Sequence, residues 1–281
     1  MIPAAADGAS GGATAIYCPA MNGDRPTLPQ RVTAVLHARQ YVVFFAIILF
    51  SLDVAVPIFS AWLYRGAELA ELLNNTWGPL ADAVAARSVV IAGLFVAYLL
   101  LKTWLRAGYV RSLTGPFHIG AADRRQFVRL LGLELLLEAV AAAAVGVIVL
   151  AGDRAAVAGV VVIVLLAFYL AVIYADYIVV LGDVGPIRAI VLSWRTVRSA
   201  FLPSALVLLT VSLAGDAASQ LLSDEATTSL SRAAPLLLVQ CVVMGAIVFV
   251  ADVVLVVVYL RAVEDGRLKP RMSRPSRSTR G

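Results

Sequence analysis

The chain has 281 residues, of which 61% are apolar and 15% are charged, and its net charge is +5. Soluble globular domains are about half apolar and about a quarter charged, so this composition excludes an ordinary soluble domain. Two cysteines provide neither a disulfide framework nor a four-thiolate metal site. The basic residues lie in short stretches that flank apolar runs, which is typical of membrane topology and argues against nucleic-acid binding.

Six apolar runs are each long enough to cross a bilayer, because about 20 residues span a hydrocarbon core of about 30 Å. We therefore expect an all-α polytopic membrane protein. Residues 1–32 are predicted to be disordered, as is the basic tail 263–281, which leaves 33–262 as one transmembrane domain. The predicted transmembrane helices lie at 41–64, 88–107, 130–150, 155–181, 203–221 and 235–260.

The basic residues predict the orientation of these helices. With six crossings, 19 of the 23 lysines and arginines fall on one side of the membrane. The positive-inside rule places that side, with both termini, in the cytoplasm. The N-terminal segment has no basic stretch followed by a short apolar one, so the first crossing is expected to act as an uncleaved anchor. Arginine greatly outnumbers lysine and alanine and valine are abundant, which favours the cytoplasmic membrane of a bacterium or archaeon.

Two cytoplasmic loops are predicted to contain amphipathic helices. Before the third crossing, Asp123 and Gln126 have the spacing of a capping box. Before the fifth crossing, Pro186 suits the first position of a helix. The apolar residues of this second helix are expected on one stripe, which consists of Ile187, Ile190, Trp194, Val197 and Phe201.

The second loop helix has two interpretations. In the first, it lies in the membrane interface, with Trp194 buried toward the bundle or the acyl boundary, and Arg195 near lipid phosphates or an acid such as Asp183 or Asp176. In the second, it is an elbow that joins two crossings. The candidate interfacial motif consists of Asp183, Gly185, Pro186, Ser193, Trp194, Arg195 and Arg198.

Residues 174–198 carry a more specific pattern, YADYIVVLGDVGPIRAIVLSWRTVR. An acidic turn with glycine and proline precedes a Ser-Trp-Arg helix, and this order resembles the signature of a broad prokaryotic family of six-helix membrane proteins. That family includes the membrane domain fused to some glycerophosphodiester phosphodiesterases and stand-alone relatives. The stretch 108–111 is also similar, whereas Ile190 and Val191 replace the usual Leu and Arg. The resemblance implies a six-helix membrane fold and, by analogy, a lipid-related setting, but no activity.

Acidic residues inside the predicted crossings are costly, at about 2.5 to 3.5 kcal/mol each near a helix centre. They should face the bundle interior, form ion pairs or be protonated. Lys102 and Arg106 are the basic residues within reach, so most of the acids are expected to lack a counter-ion. Asp216 is one of six such acids, and the other five form a candidate polar cavity: Asp53, Glu134, Glu138, Asp176 and Asp252.

Glu134 and Glu138 are four residues apart and share one helix face. They could share a proton or hold a cation. Alternatively, Glu134 pairs with Lys102 or Arg106, and Glu138 accepts a hydrogen bond from a hydroxyl group. Both alternatives stay open at the level of sequence.

The sequence predicts no catalytic residues, no cofactor and no metal ligands, because it has no nucleophile elbow, phosphate-binding glycine loop or cluster of metal-ligand residues. The leading hypothesis is a non-enzymatic helical bundle that contacts membrane lipids, anionic ones among them, or a membrane-protein partner. The alternative is a small transporter or permease subunit that uses intramembrane carboxylates for the passage of an ion or solute.

Overall fold

The structure is a computed structural model that describes residues 26–65, 77–151, 154–226 and 230–266. All regular secondary structure in these residues is helical, which confirms the predicted all-α class. A short 3-10 turn at Gln40–Val42 joins the first two α-helices. The α-helices are α1 (Leu28–Ala38), α2 (Val43–Arg65), α3 (Trp77–Thr114), α4 (Arg124–Ala151), α5 (Ala155–Val172), α6 (Ala175–Gly182), α7 (Pro186–Ser199), α8 (Phe201–Ala226) and α9 (Leu230–Glu264).

The described part of the chain has three helices that are long and apolar enough to cross a membrane, at Arg124–Leu150, Gly159–Gly182 and Pro235–Glu264. The number rises to five if each of two bent pairs forms one span. One pair joins α1 to the start of α2 with a bend of 69°, and the other joins α7 to α8 with a bend of 103°. The protein is therefore a membrane protein by the length and composition of its helices.

The second predicted crossing, 88–107, lies within α3 and is not one of these spans. Its first five residues, 88–92, lie outside the residues whose side chains the structure describes, so this crossing is not tested. The other predicted crossings coincide with α2, α4, α8 and α9, and with α5 and α6 together.

The fourth predicted crossing, 155–181, is interrupted. Helix α5 ends at Val172 and α6 begins at Ala175. At the break, the backbone N–H of Tyr174 donates to Ser193 Oγ at 3.1 Å, and Ser193 Oγ donates to the carbonyl oxygen of Ala171 at 2.7 Å. A hydroxyl group of α7 thus pairs with backbone groups that the break frees, which is how a broken helix is tolerated at membrane depth.

The N-terminal prediction needs a correction. Helix α1 begins at Leu28, inside the segment 1–32 that the sequence predicts to be disordered. The N–H of Thr27 donates to Gln30 Oε1 at 2.9 Å and so satisfies a backbone donor at the helix start. Arg31 Nη1 also lies 2.7 Å from Glu264 Oε2, which joins α1 to the end of α9. The rest of the two predicted disordered segments, 1–25 and 267–281, lies outside the described residues.

The predicted cap of α4 is present. Asp123 Oδ1 accepts a hydrogen bond from the N–H of Gln126 at 2.6 Å. Gln126 Oε1 accepts one from the N–H of Ala122 at 2.8 Å, rather than from Asp123 as in a regular capping box. The amide of Gln126 also donates to the carbonyl oxygen of Val180 at 2.9 Å, and this bond joins the start of α4 to α6.

Close helix packing holds α2, α3 and α9 together. Helix α2 packs against both α3 and α9. A Cβ atom at Gly245 would lie 2.6 Å from Ile47 Cα, so glycine is required for the approach of α9 to α2.

The large fully buried side chains include Tyr109 near the end of α3, and Tyr174 and Tyr177 at the break between α5 and α6. The core is therefore concentrated where α6 joins the bundle.

Candidate functional site

One face of α3 supplies the centre of the candidate site. Tyr98, Lys102, Arg106 and Tyr109 recur at intervals of three or four residues and therefore share one side of the helix. This side faces the bundle, since the side chains of Lys102 and Arg106 are only 19% and 18% exposed. The two cations were expected from the sequence, whereas the two tyrosines were not, although their helical spacing from Lys102 and Arg106 indicates the same face.

Three carboxylates surround the ammonium group of Lys102. Its Nζ lies 3.3 Å from Asp53 Oδ1, 3.7 Å from Glu138 Oε1 and 4.0 Å from Glu134 Oε2. The hydroxyl of Tyr98 donates to Asp53 Oδ1, and the Tyr98 ring lies 5.4 Å from Nζ. One cation from α3 thus joins acids from α2 and α4.

Two further carboxylates contact the guanidinium group of Arg106. Its Nε lies 3.1 Å from Asp176 Oδ2, and its Nη1 lies 2.9 Å from Asp252 Oδ2. The hydroxyl of Tyr177 donates to Asp252 Oδ1. The guanidinium also lies 5.2 Å from the ring of Tyr109 and 5.8 Å from that of Tyr177, within the range of cation–π contacts. Arg106 therefore joins α3 to α6 and α9.

The structure brings all five predicted cavity acids into one group, which we call the charged cluster together with Lys102 and Arg106. The expectation that most of these acids lack a counter-ion is wrong, because each lies within 4.0 Å of Lys102 or Arg106. Glu138 faces Lys102 rather than a hydroxyl group. Asp216 lies on α8 and does not line the cavity at the cluster.

A cavity of about 270 Å³ lies against the charged cluster. Its polar lining comes from four helices and includes Asp53, Lys102, Arg106, Glu134 and Asp176. The exposure of the acids differs along the cluster: the Asp252 side chain is 7% exposed, whereas that of Asp53 is 43% exposed. Asp53 and Glu138 are the most exposed acids of the cluster, and we call their position its open end. Glu134, beside the same lysine, is buried.

The cluster lies well inside the helices. Arg106 is about 12 Å along the helix axis from the end of α3, Glu134 is about 15 Å from the start of α4, and Asp252 is about 18 Å from the end of α9. These three helix ends belong to the side that the sequence predicts to be cytoplasmic. Within the predicted crossings, Asp252 lies about 12 Å from the end of 235–260, whereas Arg106 lies at the end of 88–107. The cluster therefore extends from the predicted interface toward the bilayer centre, where unpaired charges are costly.

Pairing within the cluster leaves an excess of acid. Five carboxylates against two basic side chains give a formal charge of −3 when all are ionised. In a medium of low dielectric constant this excess requires compensation, either by protons on some carboxylates or by a bound cation. No group of three or more His, Cys, Asp and Glu residues in the described part is arranged to hold a metal ion.

The candidate interfacial motif is divided between two surfaces of α7. Gly185 and Pro186 form the start of the helix, and Ser193 is fully buried at the break between α5 and α6. Trp194 and Arg195, in contrast, are exposed. The alternative in which Trp194 is buried toward the bundle is therefore wrong.

The acids near the motif have other partners than Arg195. Asp183 pairs with Arg129, whose Nη1 also donates to the carbonyl oxygen of Asp183 at 2.6 Å. Asp176 pairs with Arg106. Asp183 has a φ of 48° and ends α6 in the left-handed region, which aspartate tolerates better than most side chains do. Arg129 of α4 thus fixes the turn before α7, and Arg195 pairs with neither acid.

Comparisons with protein-family models, curated proteins and solved structures return no match at any of the three levels. The charged cluster and the surface of α7 are the features of the described residues that bear on function.

Proposed function

We propose that the chain is a small non-enzymatic transporter or permease subunit in which the charged cluster takes up protons or a small cation. The observation that carries the proposal is the meeting of five carboxylates from α2, α4, α6 and α9 around two cations. Three of these acids, Asp53, Glu134 and Asp176, line one cavity. If the acids were only structural, one acid for each cation would be enough. Each of the three additional acids carries an insertion cost, which reaches about 2.5 to 3.5 kcal/mol at a helix centre, and this argues for a role that uses their charge.

The exposure of Asp53 and Glu138 supports entry to the cluster from outside the bundle. Asp53 and Glu138 lie at the open end beside Lys102, and Asp252 is buried beside Arg106. A proton or cation that enters at the open end meets one carboxylate after another. Because Lys102 and Arg106 are one turn apart on α3, the two halves of the cluster are neighbours.

We propose six crossings for the bundle, with both termini in the cytoplasm. The contacts that support this number lie at one end of the helices. The ring of Phe45 at the start of α2 is 5.3 Å from that of Phe117 in the loop after α3, and Gln126 at the start of α4 bonds to Val180 near the end of α6. The ion pair between α1 and the end of α9 joins the two ends of the described chain. Helices that alternate in direction from this common end make six crossings, in agreement with the basic-residue count and the family resemblance.

The topology proposal is tested with reporter fusions. A reporter after Gly281 should report the cytoplasm, and a reporter within 66–86 should report the opposite side. Reporters that give the same side would refute the proposed six crossings.

The transport proposal is tested with the purified full chain in vesicles. The probes are protons, Na⁺, K⁺ and methylammonium, each driven by an imposed gradient and followed with a dye or a radiolabel. We expect flux of at least one probe through the unaltered protein and its loss in Glu138→Gln, which removes a charge from the open end of the cluster. Glu264→Gln is the matched control, because Glu264 is an acid of the same type whose ion pair with Arg31 lies at the end of α9.

A thermal scan gives a second measurement. The bound cation should raise the unfolding midpoint of the unaltered protein and of Glu264→Gln, and should raise that of Glu138→Gln less. If no probe moves or binds, or if Glu138→Gln behaves like the unaltered protein in both assays, the transport proposal is refuted. The second candidate function, a bundle that contacts lipids, is favoured by the surface of α7 and is tested separately.

A further inference from the structure

Helix α7 has one face inside the protein and one outside. Its inner face consists of small side chains that are buried against the bundle: Ala189, Ser193, Thr196 and Val197. Its outer face carries large apolar side chains, with Ile187 77% exposed and Trp194 47% exposed, and Val191 lies between them at helical spacing. The outer apolar stripe is therefore a feature of the folded protein and not part of its core.

Three arginines border this stripe. Arg188, Arg195 and Arg198 are all exposed on the outer half of α7. None of them forms an ion pair with a residue of the described ranges, and the nearest acid in the sequence, Asp183, is held by Arg129. Apolar and positive side chains thus share one surface without an internal partner for the charges.

The direction of α7 differs from that of the neighbouring candidate span. The helix is bent by 103° from the start of α8, so it runs nearly perpendicular to the neighbouring candidate span. A helix that lies in the membrane plane, with apolar side chains on one side and arginines beside them, has the geometry of an interfacial helix. Phe201 and Leu202, which follow α7 directly, are also exposed and apolar.

We infer that the outer face of α7 binds the anionic headgroups of the adjoining lipid leaflet. The arginines contact phosphate groups, and Ile187, Val191 and Trp194 enter the boundary between headgroups and acyl chains. The charge of this surface indicates the ligand. Three unpaired guanidinium groups beside an apolar stripe complement an anionic phospholipid, which presents a phosphate above an acyl chain. The inference does not depend on the proposed transport function.

The test uses the full chain in phosphatidylcholine vesicles that contain a small fraction of a spin-labelled lipid. Trp62, Trp77 and Trp104 are replaced by Phe, so that the fluorescence reports Trp194 alone. Spin-labelled phosphatidylglycerol should quench Trp194 more strongly than spin-labelled phosphatidylcholine. Each of the substitutions Arg188→Gln, Arg195→Gln and Arg198→Gln should lower this preference about fivefold. Arg154→Gln, an exposed arginine before α5, is the control and should leave the preference unchanged.

Native mass spectrometry of the chain with all its tryptophans gives an independent measurement if the triple replacement prevents folding. The unaltered protein and Arg154→Gln should retain phosphatidylglycerol, and the chain without the three arginines should retain much less. Three results would overturn the inference. The first is equal quenching by both lipids, and the second is quenching by aqueous iodide as in free indole. The third is protection of Trp194 from both lipid and iodide, which would mean that a protein covers the face.

Discussion

The hydroxyl of Ser193 offers a sharp test of how the broken helix is stabilised. Ser193→Ala removes the acceptor for the N–H of Tyr174 and the donor to the carbonyl oxygen of Ala171, which lie at 3.1 and 2.7 Å from Oγ. The side chain is fully buried, so water does not replace it. The substitution removes one oxygen atom and leaves the helix propensity of α7 favourable.

The expected loss follows from the groups left without partners. A buried backbone donor without an acceptor costs about 1 to 3 kcal/mol, and the carbonyl of Ala171 adds to this. A loss of 1 kcal/mol lowers the unfolding midpoint by about 2–4 °C in a chain of this size class. Ser193→Ala should therefore lower the midpoint by several degrees.

Ser199→Ala is the matched control on the same helix. Ser199 is exposed, and its Oγ donates to the carbonyl oxygen of Thr196 within α7 at 2.8 Å. Its loss should cost about 0.5 kcal/mol or less, as for most surface substitutions. The midpoints are measured by thermal scans of the purified chains in one detergent. If Ser193→Ala lowers the midpoint no more than Ser199→Ala does, Ser193 does not stabilise the break and our account of α5 and α6 is refuted.

Two further predictions concern helix packing and the loop after α3. Gly245→Ala should lower the free energy of unfolding by about 1 to 3 kcal/mol through overpacking against Ile47, and so lower the thermal midpoint. Gly146→Ala, with no atom within 4 Å of the new Cβ, should be neutral or stabilising; equal midpoints would contradict the close approach of α2 and α9. Burial and the neighbouring Arg111 lower the pKa of His118 below its usual 6.5, so its protonation should destabilise the fold as the pH falls below 6.5. Arg111→Gln should raise the pKa of His118 in an NMR titration, and a fall would reverse the sign we assign to Arg111.

Much of the helical framework follows from the sequence because bilayer thickness sets the length of apolar runs. The break at Ile173 and Tyr174 does not follow, since the apolar run continues through it without glycine or proline. The break depends on a hydrogen bond to Ser193, which lies beyond a turn and in another helix. Periodicity within one run carries no information on such a contact.

The charged cluster and the outer face of α7 could be predicted from the sequence only in part, because both depend on contacts between different helices. The cost of acids in a membrane singles out six acids, five of which lie in the charged cluster, but it does not say that two cations are shared among these five. The orientation of Trp194 was also beyond the sequence, because lipid and protein interior are both apolar and an apolar stripe fits either. The orientation of α7 is set by its inner face, where the side chains are small and Ser193 reaches the break between α5 and α6.

The break and the charged cluster are parts of one arrangement. Ser193 holds the start of α6, and α6 carries Asp176 and Tyr177, which contact Arg106 and Asp252. A shift of α7 would therefore move Asp176 and Tyr177 relative to α3 and α9. The outer face of α7 and the charged cluster are thus linked through α6, whose start is held by the buried Ser193 hydroxyl on the inner face of α7.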